Sequence, residues 1–200
     1  MNLPNKITIA RIIMIPIFMI FAFPLPTWFP GESFFAGRYS ALIALIIYIV
    51  ASITDSLDGH IARKYNLITS FGKFVDPIAD KLLVMAAMLA LVPINMMYLW
   101  IAMIILTREF IVTGVRLVAA SEGVVIAAGK GGKLKMILQT IALITLLTSK
   151  LFDNTTGMVE TIGTVIRVFG DVVLIMVAIV TIVSGYEYVK NNIEIIVKDM

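Results

Sequence analysis

Apolar residues run along this chain in long blocks, broken at intervals by short polar or turn-forming stretches. The blocks come near the 20 or so residues that a bilayer-crossing helix needs. Reading the breaks as helix ends predicts six helices, at about 7–23, 38–63, 71–92, 96–120, 133–148 and 162–190. Pro93, Ile94 and Asn95 mark one of the turns. No repeat, low-complexity segment or linker interrupts the series, so residues 1–200 read as a single transmembrane domain.

Composition sharpens this picture. Apolar residues make up 60% of the chain, charged residues only 14%, and the mean hydropathy is +1.00. A soluble domain of this size must cover itself with more polar surface than that. The fold class is therefore all-α integral membrane, with six transmembrane helices. The first apolar block follows Lys6 and Arg11, as in a secretory signal, but it runs on into Pro24, Pro26 and Pro30 without a small-residue cleavage site. It reads as the first spanning helix. With no cysteine, disulfides, thiolate metal sites and cysteine nucleophiles are excluded.

The net charge of +3 matters less than its placement. Lys6 and Arg11, then Arg63, Lys64, Lys73 and Lys81, then Arg116, Lys130, Lys133 and Lys135, then Lys190 and Lys198 fall at one end of the six predicted helices. The opposite loops hold Arg38, Lys150 and Arg167. The positive-inside rule makes the basic end cytoplasmic in a multi-pass protein of the cell (inner or plasma) membrane. The pattern orients a membrane protein and calls for no nucleic acid.

The chemistry gathers at that same end. Asp55 and Asp58 are three residues apart near the end of the second helix, and Asp76 and Asp80 are four apart near the start of the third. Each pair shares a helix face, and a short turn joins them. Four carboxylates in a poorly hydrated place repel one another and lose hydration. Hard divalent cations offset that cost, and two of them can serve phosphoryl transfer. Gly59, Ala62 and Gly72 leave room for a bulky ligand, and Arg63 is suited to gripping a diphosphate. The bland alternative is four surface aspartates at helix ends, which fits badly with their apolar flanks.

The full pattern is D-x2-D-G-x2-A-R-x8-G-x3-D-x3-D, from Asp55 to Asp80. It resembles the signature of the CDP-alcohol phosphotransferase family at all eight fixed positions. The resemblance covers the whole chain and implies the following roles. Asp55, Asp58, Asp76 and Asp80 would bind two Mg²⁺ or Mn²⁺ ions, and Asp80 would also act as general base on the acceptor hydroxyl. Gly59, Ala62, Arg63, Thr69 and Gly72 would hold the CDP moiety. Asn5 and Thr8, in a short segment ahead of the first helix, would close over the cytidine, with helix capping as the plain alternative. A homodimer is implied too. Pro77 lies inside the third helix and predicts a bend there.

Three stretches bear on the acceptor. Thr107-Arg108-Glu109-Phe110 and Arg116 interrupt an apolar helix, which is costly unless the charges pair or bind a ligand. One reading is an ion pair through Glu109; the other is an anion pocket of Arg108, Arg116, Lys133 and Lys135. The segment Gly129 to Gln139 lacks the glycine spacing and Lys-Ser/Thr pair of a P-loop. With Asp76 to Lys81, these stretches resemble the phosphatidylglycerophosphate synthase branch, implying CDP-diacylglycerol and glycerol 3-phosphate as substrates. Serine or inositol phosphate acceptors, and a divalent-cation transporter, are the competing readings. A transporter would need polar groups through the bilayer depth, and the fifth and sixth helices carry almost none. His60 and the twelve Met residues read as interfacial and packing side chains, and residues 190–200 as an interfacial amphipathic end.

Overall fold

In the computed structural model the described chain is helical, with no strand among the described residues. The structure describes the backbone of residues 3–64 and 70–193, apart from positions 24, 26–27, 30–31, 36, 122, 125, 127–128 and 154. Within helices, the side chains at 3–4, 32–33, 56–64, 70–71, 73–74, 76–77 and 130 are outside the described set. The helices are α1 (Leu3–Ala22), α2 (Glu32–Phe35), α3 (Arg38–Lys64), α4 (Ser70–Leu91), α5 (Leu99–Ser121), α6 (Lys130–Ser149) and α7 (Met158–Asn191). A 3₁₀ turn, Lys150–Phe152, extends α6.

The six long helices match the predicted ones to within a few residues. The largest differences lie at helix starts. α1 begins at Leu3 rather than 7, because proline is tolerated in a first turn, so Asn5 and Thr8 lie inside the helix rather than ahead of it. α2 is too short to leave an apolar block in the sequence. The bend predicted at Pro77 falls on side chains outside the described set, while the α4 backbone is helical across that position.

Two of the turns are closed by left-handed residues. Asn95, at φ 56°, follows α4, and the Met96 amide reaches back to the Leu91 carbonyl over 3.0 Å. Gly123, at φ 75°, follows α5, and the Val124 amide reaches the Ala119 carbonyl over 2.8 Å. Both have the six-to-one bond of a Schellman motif, which satisfies carbonyls that a helix end would leave open.

Among the described residues, four helices are long and apolar enough to cross a membrane: those containing Asn5–Ala22, Arg38–Asp55, Gly131–Phe152 and Met158–Asn191. α4 and α5 are of similar length but carry Lys73, Asp76, Asp80 and Lys81, and Arg108, Glu109 and Arg116. The surface is that of a membrane protein: Phe110 is 65% exposed, Val165 63% and Leu117 73%. Hydroxyls on these faces turn back onto their own helix, as Thr140 does to the Met136 carbonyl over 3.0 Å and Thr145 to that of Ile141 over 2.8 Å. In hydrocarbon that is how a polar group stays satisfied.

One continuous core joins the helices, around Phe18, Tyr48, Met88, Ile105, Leu143 and Leu174. α1 lies against α3 and α4, and α6 packs closely along α7. Glycine makes that approach possible. A Cβ at Gly131 would meet Ser184 at 2.9 Å, one at Gly170 would meet Leu146 at 2.8 Å, and one at Gly163 would run into Phe152. α5 rests chiefly on α7 and barely touches α4.

Candidate functional site

Among the described residues, several charged side chains of the bundle interior meet between α1, α3 and α4. Arg11 of α1 is fully buried, and its Nη1 donates to the Asp55 carboxylate of α3. Thr8 and Asn5, three and six residues earlier on α1, are buried as well. Gly72 is buried in the first turn of α4. Asp80 follows two turns later, largely covered, and within electrostatic reach of Asp55, Arg11, Glu109 and Lys135. Two aspartates expected to act together, Asp55 and Asp80, are thus brought to one place from different helices.

The remaining motif positions are only partly described. The backbone at Asp58, Gly59, Ala62 and Arg63 is the last part of α3, and that at Asp76 belongs to α4. Their side chains, and Thr69 altogether, lie outside the described residues. Among the described residues no three acidic or imidazole groups cluster as a metal site would. The donors that are described suit a hard cation. Asp55 and Asp80 are carboxylates on separate helices, close enough for each charge to act on the other.

A second cluster adjoins the first. Glu109 of α5 accepts from Lys135 Nζ of α6 over 2.7 Å and from Arg108 Nη1 over 3.1 Å. Lys135 is 4% exposed, so its charge is held inside the protein and matched there. Lys81, next to Asp80, donates to the Thr113 hydroxyl, which donates in turn to the Glu109 carbonyl over 2.7 Å. These bonds tie α4, α5 and α6 together beside Asp80. The ion pair through Glu109 is therefore present, and it is made by two of the four cations read as an anion pocket.

Arg108 crosses between two helices that lack side chains where it passes. A Cβ at Gly185 would stand 3.0 Å from Arg108 Cγ, and one at Gly132 would stand 3.4 Å from Nη2. Arg116 lies two turns further along α5, exposed, and its Nε donates to the Tyr188 hydroxyl of α7 over 3.2 Å. Lys133 is exposed near the start of α6. Gln139 is buried, with Nε2 at 3.8 Å from the Met88 sulfur.

Sequence reasoning did not single out Arg11 as the partner of Asp55, nor Thr113, Tyr188 or Gly185. Arg11 carried a signal, since it is a cation set within an apolar helix. Its partner is 44 residues away, and spacing alone does not find such a pair.

Comparison with known proteins bears on this arrangement. The family model for CDP-alcohol phosphatidyltransferase matches residues 1–183. A relative from Bacillus subtilis (strain 168) is 44% identical over 197 residues, covering 96% of both chains. One from Rickettsia typhi is 39% identical over 189 residues, covering 94% of this chain and 96% of its own. One from Haemophilus influenzae is 40% identical over 147 residues, covering 71% of this chain and 73% of its own. Each of the three is named CDP-diacylglycerol–glycerol-3-phosphate 3-phosphatidyltransferase.

Proposed function

The chain belongs to the CDP-alcohol phosphatidyltransferase family, and on that footing we propose that it transfers a phosphatidyl group from CDP-diacylglycerol to glycerol 3-phosphate, giving phosphatidylglycerophosphate and CMP. One observation carries the reading. The family's aspartates, represented by Asp55 and Asp80, lie beside a buried cluster of cations on α5 and α6. A diphosphate donor and a phosphorylated acceptor need those two features next to each other.

All six long helices cross the bilayer in this reading, as one catalytic unit spanning residues 1–200. The charges that interrupt α4 and α5 are turned to the site, where substrates and partners offset the cost of burying them. The basic loops set the site near the cytoplasmic face of the cell membrane. The protein works as a homodimer, a point supported by the family resemblance alone.

Asp55, Asp58, Asp76 and Asp80 would hold two Mg²⁺ or Mn²⁺ ions, which supply charge stabilisation for the diphosphate oxygens when bound. Gly59, Ala62, Arg63, Thr69 and Gly72, with Asn5 and Thr8 from α1, hold the CDP moiety. Arg108, Arg116, Lys133 and Lys135 receive the acceptor's phosphate. Asp80 takes the proton from the acceptor hydroxyl as that oxygen attacks the β-phosphorus. The new P–O bond forms there, the bond to the CMP oxygen breaks, and CMP leaves with the electron pair. Arg11 fixes the Asp55 carboxylate from behind.

The test is direct. Purified protein in detergent receives CDP-diacylglycerol, Mg²⁺ and a panel of alcohols, and CMP release is measured. Release with glycerol 3-phosphate and not with serine or inositol phosphate supports the reading. Release with one of the others instead would retire the acceptor assignment.

A further inference from the structure

A groove of about 490 Å³ follows the lipid-facing seam between α5 and α7. Its rim is apolar and open: Met103 is 54% exposed, Ile111 47% and Ile182 56%. Its floor is different. Arg108 and Thr181 line it, and two of their polar atoms, Arg108 Nε and Thr181 Oγ1, are buried and have no hydrogen-bond partner among the described residues. Thr181 is 0% exposed. An unmatched donor and hydroxyl beneath an apolar channel are costly unless a ligand completes them.

Arg108 also connects this groove to the site. Its Nη1 is held by Glu109 beside Lys135, while its stem passes over Gly185, whose missing Cβ leaves the passage open. One guanidinium therefore faces the cation cluster on one side and the bilayer groove on the other.

We propose that this groove is the seat of the acyl-bearing product, with its terminal phosphate on Arg108 and one acyl chain along the α5–α7 seam. The inference rests on the reading of the reaction given above. Glycerol 3-phosphate brings a phosphate monoester but no acyl chain. CDP-diacylglycerol brings chains, but its phosphates belong to the aspartate site. Only the product joins a phosphate monoester to acyl chains, and only a channel with an apolar wall and a cation at its floor matches both ends. The groove is then a lateral way out, open to the membrane, which the product can enter without its phosphate leaving Arg108.

The test uses the full chain in nanodiscs of phosphatidylcholine. The probe is phosphatidic acid, a phosphate monoester lipid, with a photoreactive diazirine in one acyl chain. Labelling should fall on Met103, Ile111 or Ile182, and excess phosphatidylglycerophosphate should suppress it about tenfold more than excess phosphatidylcholine does. Met103→Trp and Ile182→Trp, both at lipid-facing positions, fill the channel. Each should weaken inhibition by phosphatidylglycerophosphate about tenfold while the KM for glycerol 3-phosphate stays unchanged. Labelling spread evenly over other lipid-facing residues such as Leu134 and Val165, or suppressed equally by phosphatidylcholine, would overturn the proposal. So would unchanged product inhibition in both variants. The labelling arm needs no turnover, so it reads the groove even if glycerol 3-phosphate proves not to be the acceptor. Turnover with unselective labelling retires the groove alone.

Discussion

Lys135 of α6 gives its ammonium to Glu109 of α5 over 2.7 Å, in a place where water barely reaches the lysine. Glu109→Gln keeps the shape and an acceptor oxygen but removes the charge that matches Lys135. Leaving a buried charged donor poorly matched costs about 1–3 kcal/mol. The thermal midpoint in detergent should fall accordingly. Lys135→Met introduced into Glu109→Gln should then cost less than it does in the original chain. Simple addition of the two losses would show that the pair is not coupled.

Arg116 separates acceptor binding from packing. In the proposed reaction it receives the phosphate of glycerol 3-phosphate, and in the structure its Nε is steadied by the Tyr188 hydroxyl. Arg116→Ala should raise the KM for glycerol 3-phosphate about 10- to 150-fold, the worth of a charge-assisted hydrogen bond, and that for CDP-diacylglycerol far less. Tyr188→Phe should show a weaker form of the same split. Equal loss for both substrates would make Arg116 a structural residue.

Asp80 and Asp58 should fail in different ways. Asp80→Asn retains an oxygen ligand and loses the base, so calorimetry should find CDP binding in Mg²⁺ near normal while kcat falls about 10²- to 10⁴-fold. Asp58→Asn should weaken the metal-dependent binding of CDP itself. The opposite pairing of effects would invert the two roles.

Chelation tests the carboxylate set as a whole. EDTA should abolish CMP release, and added Mg²⁺ or Mn²⁺ should restore it. Full activity after rigorous chelation would be incompatible with a metal site at these aspartates.

Orientation can be read with single cysteines, since the chain has none of its own. Gly129 is exposed, and a Cβ there meets nothing within 4 Å; Met158 is 81% exposed at the other end of the α6–α7 pair. Gly129→Cys should react with an impermeant maleimide only from the cytoplasmic side, and Met158→Cys only from the outside. Reversed labelling would turn the topology over.

The helices were legible in the sequence because each apolar block ends where a charge, a proline or a glycine makes hydrocarbon unfavourable. Their starts were read less well. α1 and α6 begin earlier than the apolar blocks do, since Pro4 and Lys130 are compatible with a helix but not with a bilayer interior. The aspartates announced themselves by spacing along two neighbouring helices. Arg11 and Asp55, or Arg116 and Tyr188, did not, because contacts across 44 and 72 residues are fixed by packing and leave no periodic trace. Gly132 and Gly185 are of the same kind: each gains its meaning only once Arg108 is laid across it.

The burial of Arg11 also bears on how the first helices would enter a membrane. The ribosome delivers α1 with a cation in its third turn long before Asp55 exists to match it. A lone arginine near the start of a spanning helix can keep its charge in the headgroup layer by extending its stem. α1 could therefore lie shallow in a bilayer until α3 arrives and Asp55 takes up the guanidinium. The ion pair that holds the Asp55 carboxylate in the finished protein would first have served as the latch between the first two long helices of the chain.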